Sequence, residues 1–261
     1  MPEPDLHILS ALPRSHYSAA GSSCLRVSLR SAGHTALDHW TWERVVAVDI
    51  GSVRPPSKFA WAAFDTPGRD VVDGDTDPQS AVSALVPGLL AGAQAALLLE
   101  APMSVPVPGG QPDAWRGLGK ARRGEGGRPW SAGAGTGALA TGLAQGAWMF
   151  RQLAAVVPRL AVTTQPGTWR RGGAQLLLAE AFISASGKPE PLPAGQHAAD
   201  AVAAGLALVE VLDSSEPLAS RVCCAPHDPF NLLAAMALWA GLRIDPDELR
   251  AEVLVVAAPA A

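Results

Sequence analysis

The sequence predicts an α/β domain: a mixed sheet flanked by helices. Three observations predict it. A β-branched run, Val45–Ile50, ends in Asp49-Ile50-Gly51, a buried strand entering a tight turn. A second run, Lys58–Asp65, follows after one loop, as an antiparallel neighbour would. Farther on, apolar runs alternate with segments of helical period, the pattern that places parallel strands beside helices.

The elements follow in order. In Lys58–Asp65, Phe59, Trp61 and Ala63 share one face, and Val71-Val72 opens a third strand. Asp77-Pro78 reads as an N-cap with proline at the first helical position, starting a helix that Pro87 interrupts or kinks. Ala95–Glu100 is a short apolar strand ended by Ala101-Pro102, and 104–130 is a long Pro/Gly/Arg loop. Leu139, Leu143, Ala147, Phe150, Ala154 and Val157 define an amphipathic helix. Gly135, Gly142 and Gly146 let something approach its backbone. Gln175–Ile183 reads as a strand, 197–212 and 230–241 as helices, and Val253–Val256 as a last strand. Asp228-Pro229 is the expected cap of the final helix. Trp130, Trp148 and Trp239 read as core anchors. Residues 1–43 lack sustained periodicity and read as an N-terminal extension, partly disordered, ahead of a domain over 44–261.

Composition narrows the class. A chain of 261 residues, 48% apolar, supports a closed core. Its 26 glycines and 23 prolines make it turn-rich without a collagen period. The longest apolar stretch, Leu85–Leu99, contains Pro87 and falls short of the ~20 residues that span a bilayer. No basic segment followed by an apolar one opens the chain, so the expectation is a cytoplasmic protein without signal peptide or membrane anchor. Cys24 and the adjacent Cys223–Cys224 form neither a C-x-x-C metal spacing nor a secreted disulfide framework. With 20 basic and 24 acidic residues, the chain does not look like one that coats nucleic acid non-specifically. A local basic loop can still bind phosphate, so enzyme and binding module both stay open.

Three carboxylates stand where a site belongs. Asp49 and Glu100 end strands, and Asp200 lies in the first turn of a helix, in His197-Ala198-Ala199-Asp200-Ala201. Ligands collect beyond the strand ends of open α/β sheets. Taken singly, an Asp after a strand is often a turn former, and Asp200 suits a helix N-terminus electrostatically. Taken together, clustered carboxylates repel unless protonated or paired, and a divalent cation removes the conflict. Hard oxygen ligands suit Mg²⁺ or Mn²⁺.

Val46-Ala47-Val48-Asp49-Ile50-Gly51-Ser52, Leu97–Glu100 and His197–Ala203 together resemble the ribonuclease-H-like nuclease superfamily, the last segment its Holliday-junction resolvase branch. Glu100-Ala101-Pro102-Met103, Ala179-Glu180-Ala181-Phe182 and the Asp-Ala helix are similar to a family of predicted nucleases of that fold. The resemblance spans about residues 45–240. Glu100 stands where that family often has Asp, and the family's proline after the later Glu strand is missing. The resemblance implies a ribonuclease-H-like mixed sheet and a metal-dependent hydrolase acting on phosphodiester bonds of nucleic acid, DNA or RNA. It implies Asp49, Glu100 and Asp200 as ligands of Mg²⁺ or Mn²⁺ in a two-metal mechanism, with His197 as a fourth ligand or proton carrier. No membrane partner is expected, and homodimerisation is left open.

Lys120, Arg122, Arg123 and Arg128 form a basic run that reads as a solvated loop or a holder of substrate phosphates. The small residues that follow, Ser131–Gly135, lead into a helix N-terminus that favours an anion. Glu180, inside an apolar strand, either joins the metal shell or faces solvent. Two further functions stay open. Asp49-Ile50-Gly51-Ser52 also resembles the first phosphate loop of actin-like ATP-binding phosphotransferases, although no second strand-Asp-x-Gly unit follows residue 200. The other is a catalytically silent binding domain of the same fold.

Overall fold

The computed structural model describes residues 43–55, 57–65, 69–110, 112–126, 129–183, 188–213 and 220–257. Arg128, Cys24 and the expected extension through residue 42 lie outside the described residues. In chain order the elements are β1 (Arg44–Asp49), β2 (Ala60–Asp65), β3 (Val71–Asp75), α1 (Pro78–Leu90), β4 (Ala95–Glu100), β5 (Ser104–Val107) and α2 (Gly133–Val156). Then come β6 (Val162–Thr163), α3 (Pro166–Arg170), β7 (Leu176–Phe182), α4 (Gln196–Asp213), β8 (Asp228–Asn231), α5 (Leu232–Ala240) and β9 (Val255–Ala257).

The main sheet has seven strands: six run in the order β3-β2-β1-β4-β7-β6, and β9 joins it through β7. β1, β2 and β3 pair antiparallel, whereas β1–β4 and β4–β7 are parallel. β6 pairs parallel with the start of β7 and β9 with its end. The expected α/β mixed sheet flanked by helices is therefore present.

Strand parity decides which residue meets which layer, because successive side chains point to opposite faces. Val46, Val48, Leu97, Leu99 and Leu178 pack into one core with Leu85 of α1, Phe150 and Leu153 of α2 and Leu233 of α5. Val45, Ala47, Phe64, Leu98 and Ala179 pack into a second core with Ala201, Ala204 and Leu208 of α4. The alanine-rich α4 thus covers one face together with Trp169 of α3, and α1, α2 and α5 cover the opposite one.

Local chemistry explains several boundaries. The Asp77 side chain accepts from Gln79 N at 3.0 Å and Pro78 follows, as expected for the α1 start. The helix then runs through Pro87 to Leu90 instead of stopping there. The last helix differs from expectation: Asp228 and Pro229 belong to β8, and Asn231 is the cap, accepting from Ala234 N at 3.0 Å. β8 pairs antiparallel with β5, so the expected loop 104–130 begins with a strand. In α2 the buried face runs through Gly142, Gly146, Met149, Phe150 and Leu153, while Leu143, Ala147 and Ala154 are half-buried. Close approach causes this rotation. A Cβ at Gly142 would stand 2.7 Å from Ala101 Cβ and Met103 Cε, so only glycine lets the helix lie against the end of β4.

The core tryptophans are Trp61 and Trp169, whereas Trp148 and Trp239 are exposed and Trp130 is half-buried. Among the described residues no helix is long and apolar enough to cross a membrane.

Candidate metal centre

Asp49 is the last residue of β1 and pairs in parallel register with Glu100, the last residue of β4. Parity gives both the α4 face, since each is two residues beyond an α4-facing residue, Ala47 or Leu98. α4 packs over β1 and β2 and brings its first turn to this end of the sheet. His197 and Asp200, three apart, share one side of that turn.

The result is a three-residue cluster. One ligand atom each from Asp49, His197 and Asp200 lies within 4.8 Å of the others, and no other such group occurs among the described residues. His197 Nδ1 is 2.6 Å from Asp49 Oδ2; with Asp49 ionised, the ring N–H donates to the carboxylate. Lys188 Nζ sits 3.0 Å from Asp200 Oδ2, and Gln196 Nε2 donates to Asp200 Oδ1 at 2.7 Å. Asp49 and Asp200 are buried while the His197 side chain is half-buried. The Asp49 carboxyl is pushed up to about 6, chiefly by burial. The His197 hydrogen bond and charge pull it down, and the Asp200 carboxylate pushes it up again.

Two carboxylates and one imidazole are a credible donor set for a divalent cation. Oxygen ligands suit Mg²⁺ and Mn²⁺ alike, and the imidazole tips the balance toward Mn²⁺. Glu100 adjoins Asp49 but is not one of the three clustered ligands. It lines a cleft with Pro102, Gly135 and Phe182, onto which the start of α2 opens. Ala132 there makes no side-chain capping bond.

The structure corrects two expectations about charge. Glu180 neither joins the cluster nor faces solvent. It is fully buried, and its register partner is Leu99, so parity sends it to the face opposite Asp49 and Glu100. There it accepts from Arg122 Nη1 and Nη2, each at 2.7 Å, and from Met103 N at 2.8 Å. Arg122 is accordingly no surface phosphate ligand: its Nε also donates to Glu125 Oε1 at 2.9 Å, and its side chain is solvent-free. Burial alone would lower the Arg122 pKa, but the Glu180 and Glu125 carboxylates more than reverse this and hold the guanidinium charged. Lys120 and Arg123 remain exposed. Sequence reasoning missed Lys188 and Gln196. Only the spacing of Gln196, four residues before Asp200 on the same helix, signals its role.

No family model, curated protein or solved structure matches the chain.

Proposed function

We propose that the protein is a metal-dependent phosphodiesterase of ribonuclease-H-like architecture that hydrolyses nucleic acid. The observation that carries this reading is the convergence of Asp49, His197 and Asp200 within 4.8 Å beside Glu100, at the end of two parallel central strands. The antiparallel three-strand meander continued by parallel strands is compatible with that architecture.

Bound Mg²⁺ or Mn²⁺, as a pair in the two-metal form, supplies charge neutralisation and a lowered water pKa. Asp49 and Asp200 are the residues that would hold it, with Glu100 the neighbouring carboxylate and the His197 imidazole a third donor when it carries no proton there. His197, oriented through Nδ1 by Asp49, turns Nε2 to the remaining side of the ring, where it can hold or pass a proton. Lys188 neutralises Asp200 in the metal-free protein. Lys120 and Arg123 are the exposed members of the basic run left to meet phosphate.

The test is Mn²⁺ titration by calorimetry together with cleavage of end-labelled single-stranded, duplex and branched DNA and RNA. Asp49→Asn should lose cleavage by at least about a hundredfold, since even the hydrogen-bonding partners of metal ligands contribute up to about that much, while keeping its melting temperature. Undiminished cleavage by Asp49→Asn, or no Mn²⁺ uptake at millimolar concentration, would refute the reading.

A further inference from the structure

β5 begins four residues after Glu100 and opens a projecting segment that returns to the fold at the buried Arg122. At its tip, Trp115 is 62% exposed and Leu118 65% exposed, in a 3-10 turn, Ala114–Gly117, and the residue after it. Singly exposed apolar side chains are ordinary; what sets this turn apart is that Trp115 and Leu118 lie three residues apart beside the cations Arg116 and Lys120. The guanidinium of Arg116 lies 5.2 Å from the Trp115 ring centroid. Arg116 and Lys120 line one recess with Pro108 and His227; Asp113, the acid on its rim, pairs loosely with Arg116 at 3.6 Å. Flat aromatic surface beside cations is the combination that grips a nucleic-acid strand: the ring stacks a base and the cations take phosphates.

We propose that this tip binds single-stranded or unpaired nucleic acid, with Trp115 stacking a base and Arg116 and Lys120 taking the adjacent phosphates. The inference deepens the nuclease reading and rests on it for its substrate class. Unpaired strand is the fitting form because bases inside a duplex already have both faces covered by neighbours, leaving none for an indole. The charge is locally richer in cations than the chain as a whole, whose net charge is −4: the lining of the recess carries Arg116 and Lys120 against Asp113, with the Asp228 carboxylate nearby against Gly109.

The experiment uses the full chain in EDTA, so that binding is read without cleavage. Fluorescence anisotropy follows a labelled dT₂₀ strand and, separately, a blunt DNA duplex of equal length. Wild type should bind the single strand at least about tenfold tighter than the duplex. Trp115→Ala should weaken single-strand binding about tenfold, as loss of one stacked base predicts, and Trp115→Phe should recover most of it. Lys120→Gln should reduce the salt dependence by about one counterion. Equal affinity of Trp115→Ala and wild type would overturn the inference, as would equal affinity for duplex. So would sedimentation showing that Trp115 instead holds two copies of the chain together. The two readings fail separately. Mn²⁺-dependent cleavage lost in Asp49→Asn but strand binding indifferent to Trp115 removes this inference alone. Trp115-dependent strand binding without cleavage removes the nuclease alone.

Discussion

Arg122 and Glu180 form a two-pronged ion pair, both contacts 2.7 Å, with neither side chain open to solvent. The pair bolts the segment between β5 and α2 to the central strand β7. The same Glu180 accepts from Met103 N, in the turn that follows Glu100. One carboxylate therefore fixes both the root of the projecting segment and the backbone next to the candidate site.

Removing one partner leaves the other charged in a dry interior. Arg122→Ala should lower the unfolding free energy by about 3–5 kcal/mol, the usual cost of breaking a buried pair. Arg122→Lys should recover only part of it, because an ammonium cannot make the parallel two-bond contact. Urea denaturation of the three proteins, with chain concentration held fixed, measures both effects. A loss below 1 kcal/mol in Arg122→Ala would mean water replaces the guanidinium.

These residues also show what a sequence conceals. β1, β4 and β7 are legible because each carries a run of four or more apolar residues (Val45–Val48, Ala95–Leu99, Leu176–Ala179), and α1 because Asp77-Pro78 announces it. His197 and Asp200 are legible as a pair because helical spacing alone puts them together. Arg122 looked like a surface cation because its partner lies 58 residues away, in another strand. Glu180 reads equally as a metal ligand or a solvent-facing carboxylate because its face depends on register: only the pairing Leu99↔Glu180 shows that it turns away from Asp49. β5 and β8 escaped notice because each carries a proline, Pro106 opposite Pro229, which suppresses the strand signal. The rotated face of α2 follows from a backbone contact at Gly142 that no side-chain period encodes.

Lys188 competes with any cation for Asp200. Its ammonium is partly exposed, so the pair is worth at most about 1 kcal/mol. Lys188→Gln should then tighten Mn²⁺ binding by up to about fivefold, the same energy expressed as a ratio. Calorimetric titration of the metal-free proteins at one pH checks it. Weaker binding in the variant would place Lys188 on the side of the metal rather than against it.

Burial pushes the Cys224 thiol up to about 11, while its bond to Ser104 Oγ opposes the shift. Unfolded cysteine ionises near ~8.5. The folded pKa is the higher one, so the stabilising contribution is complete below ~8.5 and disappears as pH rises through about 11. In a Cys24→Ser, Cys223→Ser background, Cys224 should resist iodoacetamide at pH 8.5 in buffer and react rapidly in urea. The protein should also lose stability between pH 9 and 11 more steeply than a Cys224→Ala version. Fast alkylation of the native protein would show that the thiol opens to solvent.

Gly205 of α4 faces Phe64 of β2 so closely that a Cβ there would lie 2.0 Å from Phe64 Cε2. In an open helix, replacing glycine by alanine stabilises by about 1 kcal/mol. Here Phe64 is wholly buried and its ring has nowhere to swing, so overpacking, about 1–3 kcal/mol, outweighs helix propensity. Gly205→Ala should therefore lower the melting temperature. Phe64→Leu alone should also destabilise, by leaving a void. Because each change relieves the other, the double variant should be more stable than the sum of the two losses allows, with a coupling within the range found for residues in contact. Strict additivity would mean that α4 slides on the sheet to accept the methyl group, and that the start of this helix, which carries His197 and Asp200, is less firmly held over Asp49 than the packing indicates.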